Sequence, residues 1–117
     1  MRDAARQMKD TPLIYLLRSW VDPARGRPYL DWLEDKHMAE VVAEPGILWA
    51  RRVMLDQADD KGWRSCLLLY GFDGRAALDA YLASPARERF WHELEGFRDV
   101  HYSDRFWGDV DVAIDEA

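Results

Sequence analysis

The stretch from Leu13 to Val53 reads LIYLLRSWVDPARGRPYLDWLEDKHMAEVVAEPGILWARRV, and its reading decides the fold. Leu13 to Asp22 is short, branched and aromatic, as strands are. Its alternate positions are apolar on both sides: Leu13, Tyr15 and Leu17 on one, Ile14, Leu16 and Trp20 on the other. A strand of that kind is covered on both faces. Asp22-Pro23-Ala24-Arg25-Gly26 is a loop. A helix then runs from Arg27 or Pro28 to Ala43, since proline in a first helical turn forfeits no hydrogen bond. At about 100° per residue, Leu30, Leu33, His37 and Val41 form one stripe. Pro45-Gly46 closes the helix, and Ile47 to Leu55 is a second strand.

The remainder continues the pattern. Asp56 to Gly62 is a polar turn, long enough to be mobile, and Trp63 to Phe72 is a third strand, antiparallel to the second. Asp73 and Gly74 open a helix with Ala77, Leu78, Tyr81 and Leu82 on one face. Ser84 caps a further helix with Pro85 at its first position, followed by Phe90, Leu94 and Phe97 at helical spacing and a stop at Gly96. Asp99 to Trp107 is a fourth strand. In Gly108 to Ala117, Val110, Val112 and Ile114 alternate, which suits either an edge extension or, given the acids, a solvated tail. Residues 1–11 are a polar extension, a short helix or a disordered arm. Residues 12–117 are a single domain.

The order βαββαβ is the ferredoxin-like α+β arrangement, one antiparallel sheet with its helices on one face. The other face carries Ile14, Leu16, Trp20 and part of the run Leu67-Leu68-Leu69, too apolar to stay bare. The economical cover is a second copy, giving a homodimer whose sheets pack face to face.

Composition narrows the function classes. Lys and Arg number 16 against 22 Asp and Glu, a net charge of −6, which disfavours nucleic acid or an anionic membrane as partner. No apolar run spans a bilayer, and Met1 to Asp10 has no apolar signal core, so the chain reads as soluble and cytoplasmic. The single cysteine, Cys66, excludes an internal disulfide and a cysteine-cluster metal site, and three scattered histidines give little support to a metal. There is no glycine-rich phosphate loop and no G-x-S-x-G elbow. Six Trp, five Tyr and four Phe are many for 117 residues. They suit a core and a dimer interface, or a pocket for a flat ligand.

The strand LIYLLRSW, the segment YLDWLEDKHMAEVVAEPG with Trp32, His37 and Gly46, and the strand ILWARRV resemble the opening of small dimeric α+β barrel proteins. Among these are the EthD-like and antibiotic-biosynthesis-monooxygenase-like families, and the small RedY- and HapK-like proteins of pyrrole and indole natural-product pathways. The likeness covers about residues 12 to 107. It implies a pocket between helices and sheet in each subunit of a dimer, and action on an aromatic or polyketide-like molecule with neither metal nor organic cofactor. The family includes lyases, isomerases, dehydratases, cyclases and monooxygenases, proteins that only bind ligands, and a subset that handles haem, for which His37 or His92 is an available axial ligand. The family's helix-borne histidine maps onto His37.

From the residues themselves, His37 lies mid-stripe between Leu33 and Val41, as a hydrogen-bonded core histidine or one facing a cavity. Burial would keep its imidazole neutral, the form of a general base. His92 falls off its helix's apolar stripe and reads as solvated. In the last strand, alternation puts His101 with Ser103 and Arg105, and Tyr102 with Asp104 and Phe106. An inward Asp104 would orient an imidazole from another element, and an inward His101 would itself be a site residue. Arg18, Arg51 and Arg52 sit among apolar strand neighbours and need anionic partners, a carboxylate of this chain or its mate, or one on a substrate. Tyr15, Trp49 and Tyr70 line a pocket or pack the core. Cys66 is a small core residue, its thiol made inert by burial. The expected function is acid/base chemistry on an aromatic intermediate of secondary metabolism (dehydration, cyclisation or isomerisation) with His37 as general acid/base. The alternatives are a noncatalytic ligand-binding protein and a cofactor-free monooxygenase.

Overall fold

The computed structural model describes residues 10–115. Four strands, β1 (Leu13–Val21), β2 (Ile47–Ala58), β3 (Arg64–Phe72) and β4 (His101–Asp109), form one sheet in the order β2-β3-β1-β4, every neighbour antiparallel. Between β1 and β2 runs one helical rod, made of α1 (Arg27–Trp32), a π-helical turn (Leu33–His37) and α2 (Met38–Val42). α3 (Arg75–Leu82) and α4 (Pro85–Glu95) connect β3 to β4. This is the α+β ferredoxin-like arrangement. Among the described residues, no helix is long and apolar enough to cross a membrane.

The register sorts the strands' side chains into two faces. Leu13, Tyr15, Leu17, Ser19 and Val21 of β1 stand beside Phe72, Tyr70, Leu68 and Cys66 of β3, on the side the helices cover. With Tyr29, Leu33, Val41, Leu78, Tyr81 and Phe90 from the helices they make the buried core. Burying each leucine completely contributes about 1.5–3 kcal/mol, so this layer holds the helices to the sheet. Ile14, Leu16, Arg18 and Trp20 point the other way and are only half-buried in the single chain.

The ends of the elements follow their residues. Ser84 Oγ accepts from the backbone N–H of Arg87 at 3.2 Å, capping α4 with Pro85 in its first turn. Gly46 has φ +81°, and a Cβ there would lie 2.5 Å from the Ala77 methyl, so the turn into β2 requires glycine. Two expectations need correction. β2 runs on through Ala58, past a bulge, and the turn that follows is tied by Asp59 Oδ1, which accepts from Lys61 N and Trp63 N at 2.9 Å each. The first three residues of the polar segment expected as a loop, Asp56 to Ala58, are therefore strand, and the turn is confined to Asp59–Trp63. Beyond Asp109 the chain leaves the sheet after one bond, Val110 N to Pro12 O, with Val112 and Ile114 exposed: the solvated-tail reading, not the edge extension. Met1 to Lys9, most of the polar extension, lie outside the described residues.

Candidate functional site

The rod between β1 and β2 is not uniformly α-helical, and its irregularity sets the position of His37. The backbone N–H of Met38 donates to the carbonyl of Leu33, five residues back, closing a π turn. On an α-helix, residues five apart point about 140° away from each other. The wider turn brings them together, and the Trp32 and His37 rings stack with centroids 4.4 Å apart and planes 17° apart. The Phe90 ring meets His37 edge-on at 4.7 Å. His37 is 8 % exposed, and its Nδ1 has no hydrogen-bond partner. Burial pushes its pKa down to about 4, against the opposing pull of the Glu93 and Glu40 carboxylates. At neutral pH it is a neutral imidazole with an unspent polar atom.

That imidazole lines a narrow cavity between the helices and the sheet, open to solvent at its mouth. Tyr15 and Tyr70 form the sheet-side wall, Tyr29 and Leu33 come from the rod, and Tyr81 and Phe90 from the two later helices. The Tyr70 hydroxyl is buried and, like His37 Nδ1, has no partner. Burial pushes its pKa far above the usual tyrosine range, so it stays protonated. Buried polar atoms are rarely left unpaired, and two orphans lining one cavity from different elements mark a place for polar atoms of a ligand or for water. At the mouth, Arg87 and Arg105 flank the exposed Trp91, their guanidinium carbons 5.7 and 4.3 Å from its ring centre.

A second polar group lies beside the cavity. The Tyr29 hydroxyl and Ser19 Oγ are 3.0 Å apart, Ser103 Oγ donates to Ser19 Oγ at 3.0 Å, and His101 Nδ1 is 3.1 Å from Ser103 Oγ. The Tyr29 and His101 rings stack at 4.2 Å, 2° from parallel. Burial holds the His101 pKa down to about 4, with Arg105's charge adding to the effect, and pushes Tyr29 up to about 12. His101 opens onto a more open groove shared with Trp91, Leu94, Arg98 and Arg105, and groove and cavity meet at Trp91, Leu94 and Arg105, which line both.

The structure thus brings His37, Tyr15 and Tyr70 together, with His101 next door. It does not bring Asp104, Arg18, Trp49 or Arg51 to them. Asp104 pairs across the register with Arg18 on the sheet's opposite face, so it cannot orient an imidazole in the cavity. Arg18 donates through Nε to Ser65 Oγ at 3.2 Å and lies over the Trp20 ring. Past a bulge after Ile47, Trp49 lands opposite Gly71 on that same face. A Cβ on Gly71 would come within 2.3 Å of the indole, whose Nε1 donates to Thr11 Oγ1 at 2.7 Å. Arg51 is exposed on that face too. Arg52 faces the rod, bonded to Glu34 at 2.8 Å and to the Leu30 carbonyl. Cys66 is fully buried, its thiol pushed up by burial. Among the described residues no three His, Cys, Asp or Glu side chains converge as metal ligands do.

Sequence reasoning missed Tyr29, Arg87, Trp91 and Arg105 as site residues. Tyr29, Leu33 and His37 recur every fourth residue, a signal present in the stripe. Arg105 follows from His101 once the inward face of β4 is known.

No family model matches the sequence, and neither does any curated protein. Solved structures do. SnoaB of Streptomyces nogalater, a cofactor-independent oxygenase, superposes with a TM-score of 0.61 at 18 % identity, over 91 % of this chain and 99 % of that one. HapK of Hahella chejuensis gives 0.64 at 14 %, over 90 % and 99 %. An EthD family protein of Bacillus halodurans gives 0.59 at 11 %, over 82 % and 96 %. The fold is theirs. At such identities the likeness concerns the backbone, as the Trp32–His37–Gly46 resemblance implied, and leaves the chemistry to this chain's own residues.

Proposed function

We propose that this protein acts on an aromatic small molecule of secondary metabolism, bound in the cavity between helices and sheet, with His37 as general acid/base. The observation that carries the reading is the pair of orphaned buried atoms, His37 Nδ1 and the Tyr70 hydroxyl, in one aromatic-walled cavity. A neutral imidazole takes a proton from an acidic C–H or O–H of the ligand. The Tyr70 hydroxyl, held protonated by burial, donates to the oxygen on which negative charge develops. The carboxylates of Glu93 and Glu40 favour the imidazolium once formed. Returning the proton to another carbon isomerises the ligand, and delivering it to a departing hydroxyl dehydrates it. No step calls on a metal or an organic cofactor. The half-buried apolar face opposite the helices supports a homodimer packed sheet to sheet.

A second reading has its own support, the fold shared with a cofactor-independent oxygenase. The same deprotonation leaves a carbanion or phenolate that dioxygen can oxidise. In either case the cytoplasm is the expected compartment.

The test is native mass spectrometry of gently purified protein, followed by incubation of the recovered small molecule with wild type and His37→Gln. A dimer carrying an aromatic mass, turned over by wild type and at least 100-fold more slowly by a folded His37→Gln, is the expected result (about two decades is the usual worth of a general base). Dioxygen uptake during turnover selects the oxygenase. Equal turnover by His37→Gln removes the acid/base role, and retention without turnover leaves a binding protein.

A further inference from the structure

The groove that adjoins the cavity on the β4 side has a chemical character of its own. Arg105 is half-buried on the helix-facing side of β4, and no carboxylate among the described residues pairs with it. Its recorded contact is the face of Trp91. Its charge bears on His37, His101, Tyr29 and Tyr81 alike, lowering the pKa of each, which places it centrally between cavity and groove. Arg98 lines the same groove, again without a carboxylate partner among the described residues, and Ser103 and His101 complete the wall. Among the described residues Glu95 is the one acid lining the groove, and it is exposed. In a chain of net charge −6, two unpaired guanidinium groups converging on one groove are against the trend. A half-buried arginine requires an anion for its fork of donors.

We infer that the cleft is built for an aromatic carboxylate, with the ring system in the His37 chamber and the carboxylate received by Arg105, supported by Arg98 and the His101–Ser103 pair. The assignment rests on the proposed aromatic cavity and adds the anionic end to it. Arg105 holds the carboxylate at the junction, so the ring beyond it reaches the orphaned atoms of His37 and Tyr70. A neutral aromatic of the same shape occupies the cleft and leaves the arginines unspent. The held carboxylate also offsets Arg105's pressure on His101, so His101 gains basicity when the acid binds.

The experiment uses two probes of one shape, 2-naphthoate and the neutral 2-naphthamide. Calorimetry gives their affinities. Histidine ring signals in NMR give their place, since only three histidines are present. Naphthoate is expected to bind about tenfold more tightly than the amide, the return of one hydrogen bond to a charged group. It shifts both His37 and His101 signals and raises the His101 pKa, whereas the amide shifts His37 alone. Arg105→Gln brings naphthoate to within about twofold of the amide, both probes being measured on that same variant. If Arg105→Gln does not fold, the exposed Arg98→Gln carries the same test with about a threefold loss. Equal binding of the two probes, with the His37 signal shifted by both, overturns the anionic end and keeps the aromatic cavity. A preference for naphthoate that survives the arginine substitutions also overturns it. Binding of neither probe, or binding that leaves all three histidine signals in place, overturns the cavity and the anionic end together.

Discussion

The two faces of the sheet are made from the same strands, yet they carry different kinds of chemistry. Facing the helices, Tyr15, Tyr70, His101 and Arg105 sit where packing against other elements controls how much water reaches them. On the opposite face, Arg18, Trp49, Arg51 and Asp104 lie on a nearly flat surface and are satisfied by neighbours such as Ser65 and Thr11 or by solvent. Residue type alone does not distinguish the two sets, since each holds at least one aromatic and at least one arginine. The lesson is that a polar strand residue becomes a site residue when helices close over it and leave it without a partner.

The contrast can be broken most strongly at Tyr29, whose fully buried ring stacks on His101 and packs on Trp32 and Phe97 while its hydroxyl meets Ser19. Tyr29→Ala should lower stability by about 3–5 kcal/mol in urea unfolding, the usual cost of deleting a large buried aromatic. A loss under 1 kcal/mol would mean the ring is not the wedge between rod and sheet.

A somewhat smaller effect lies in pH. His37 and His101 both have native pKa values of about 4, below the ordinary 6.5. Below pH 6.5 the unfolded chain binds protons that the native one refuses, so stability is full above that pH and falls as pH drops toward 4. For His37 the drop approaches about 3 kcal/mol, from about 1.4 kcal/mol per pKa unit. Unfolding measured from pH 7 to 4 should show it, and His37→Gln should flatten the slope. An equal slope in that variant would place His37 in contact with water.

The smallest effect on the fold is expected across the sheet. Phe106 is 47 % exposed there in the single chain. Phe106→Glu should cost less than about 1 kcal/mol of intrinsic stability, yet in analytical ultracentrifugation it should turn a dimer into a monomer. A wild-type monomer would remove the sheet-to-sheet dimer.

The same contrast explains what could be read from the sequence. Strand alternation and the turn residues Pro45-Gly46 and Ser84-Pro85 are local signals, and the element order and topology followed from them. His37 was legible for the same reason, as a polar residue on an apolar stripe. Arg18, Trp49, Arg51 and Asp104 were grouped with it because alternation says which residues share a face and is silent on which face the helices take. The bulge before Trp49 altered that strand's phase as well. Arg87 and Trp91 sit on a helix whose inward residues, Ala86 and Phe90, give no hint of a cavity mouth beside them.

The π turn at Leu33–His37 has one more consequence. It amounts to a single extra residue absorbed into a helix, and helices accept such additions in whole units. Deleting one residue from the turn, Glu34 or Asp35, would restore an ordinary helix. The deletion would leave Trp32 and the histidine four residues apart, about 40° on an α-helix, so the segments on either side would keep their faces. The imidazole would then stay beside Trp32, as i and i+4 neighbours do, and the sheet beneath would stay as it is. The turn is therefore a removable insertion, because one genetic step takes it out of the rod and leaves the histidine facing the chamber as before.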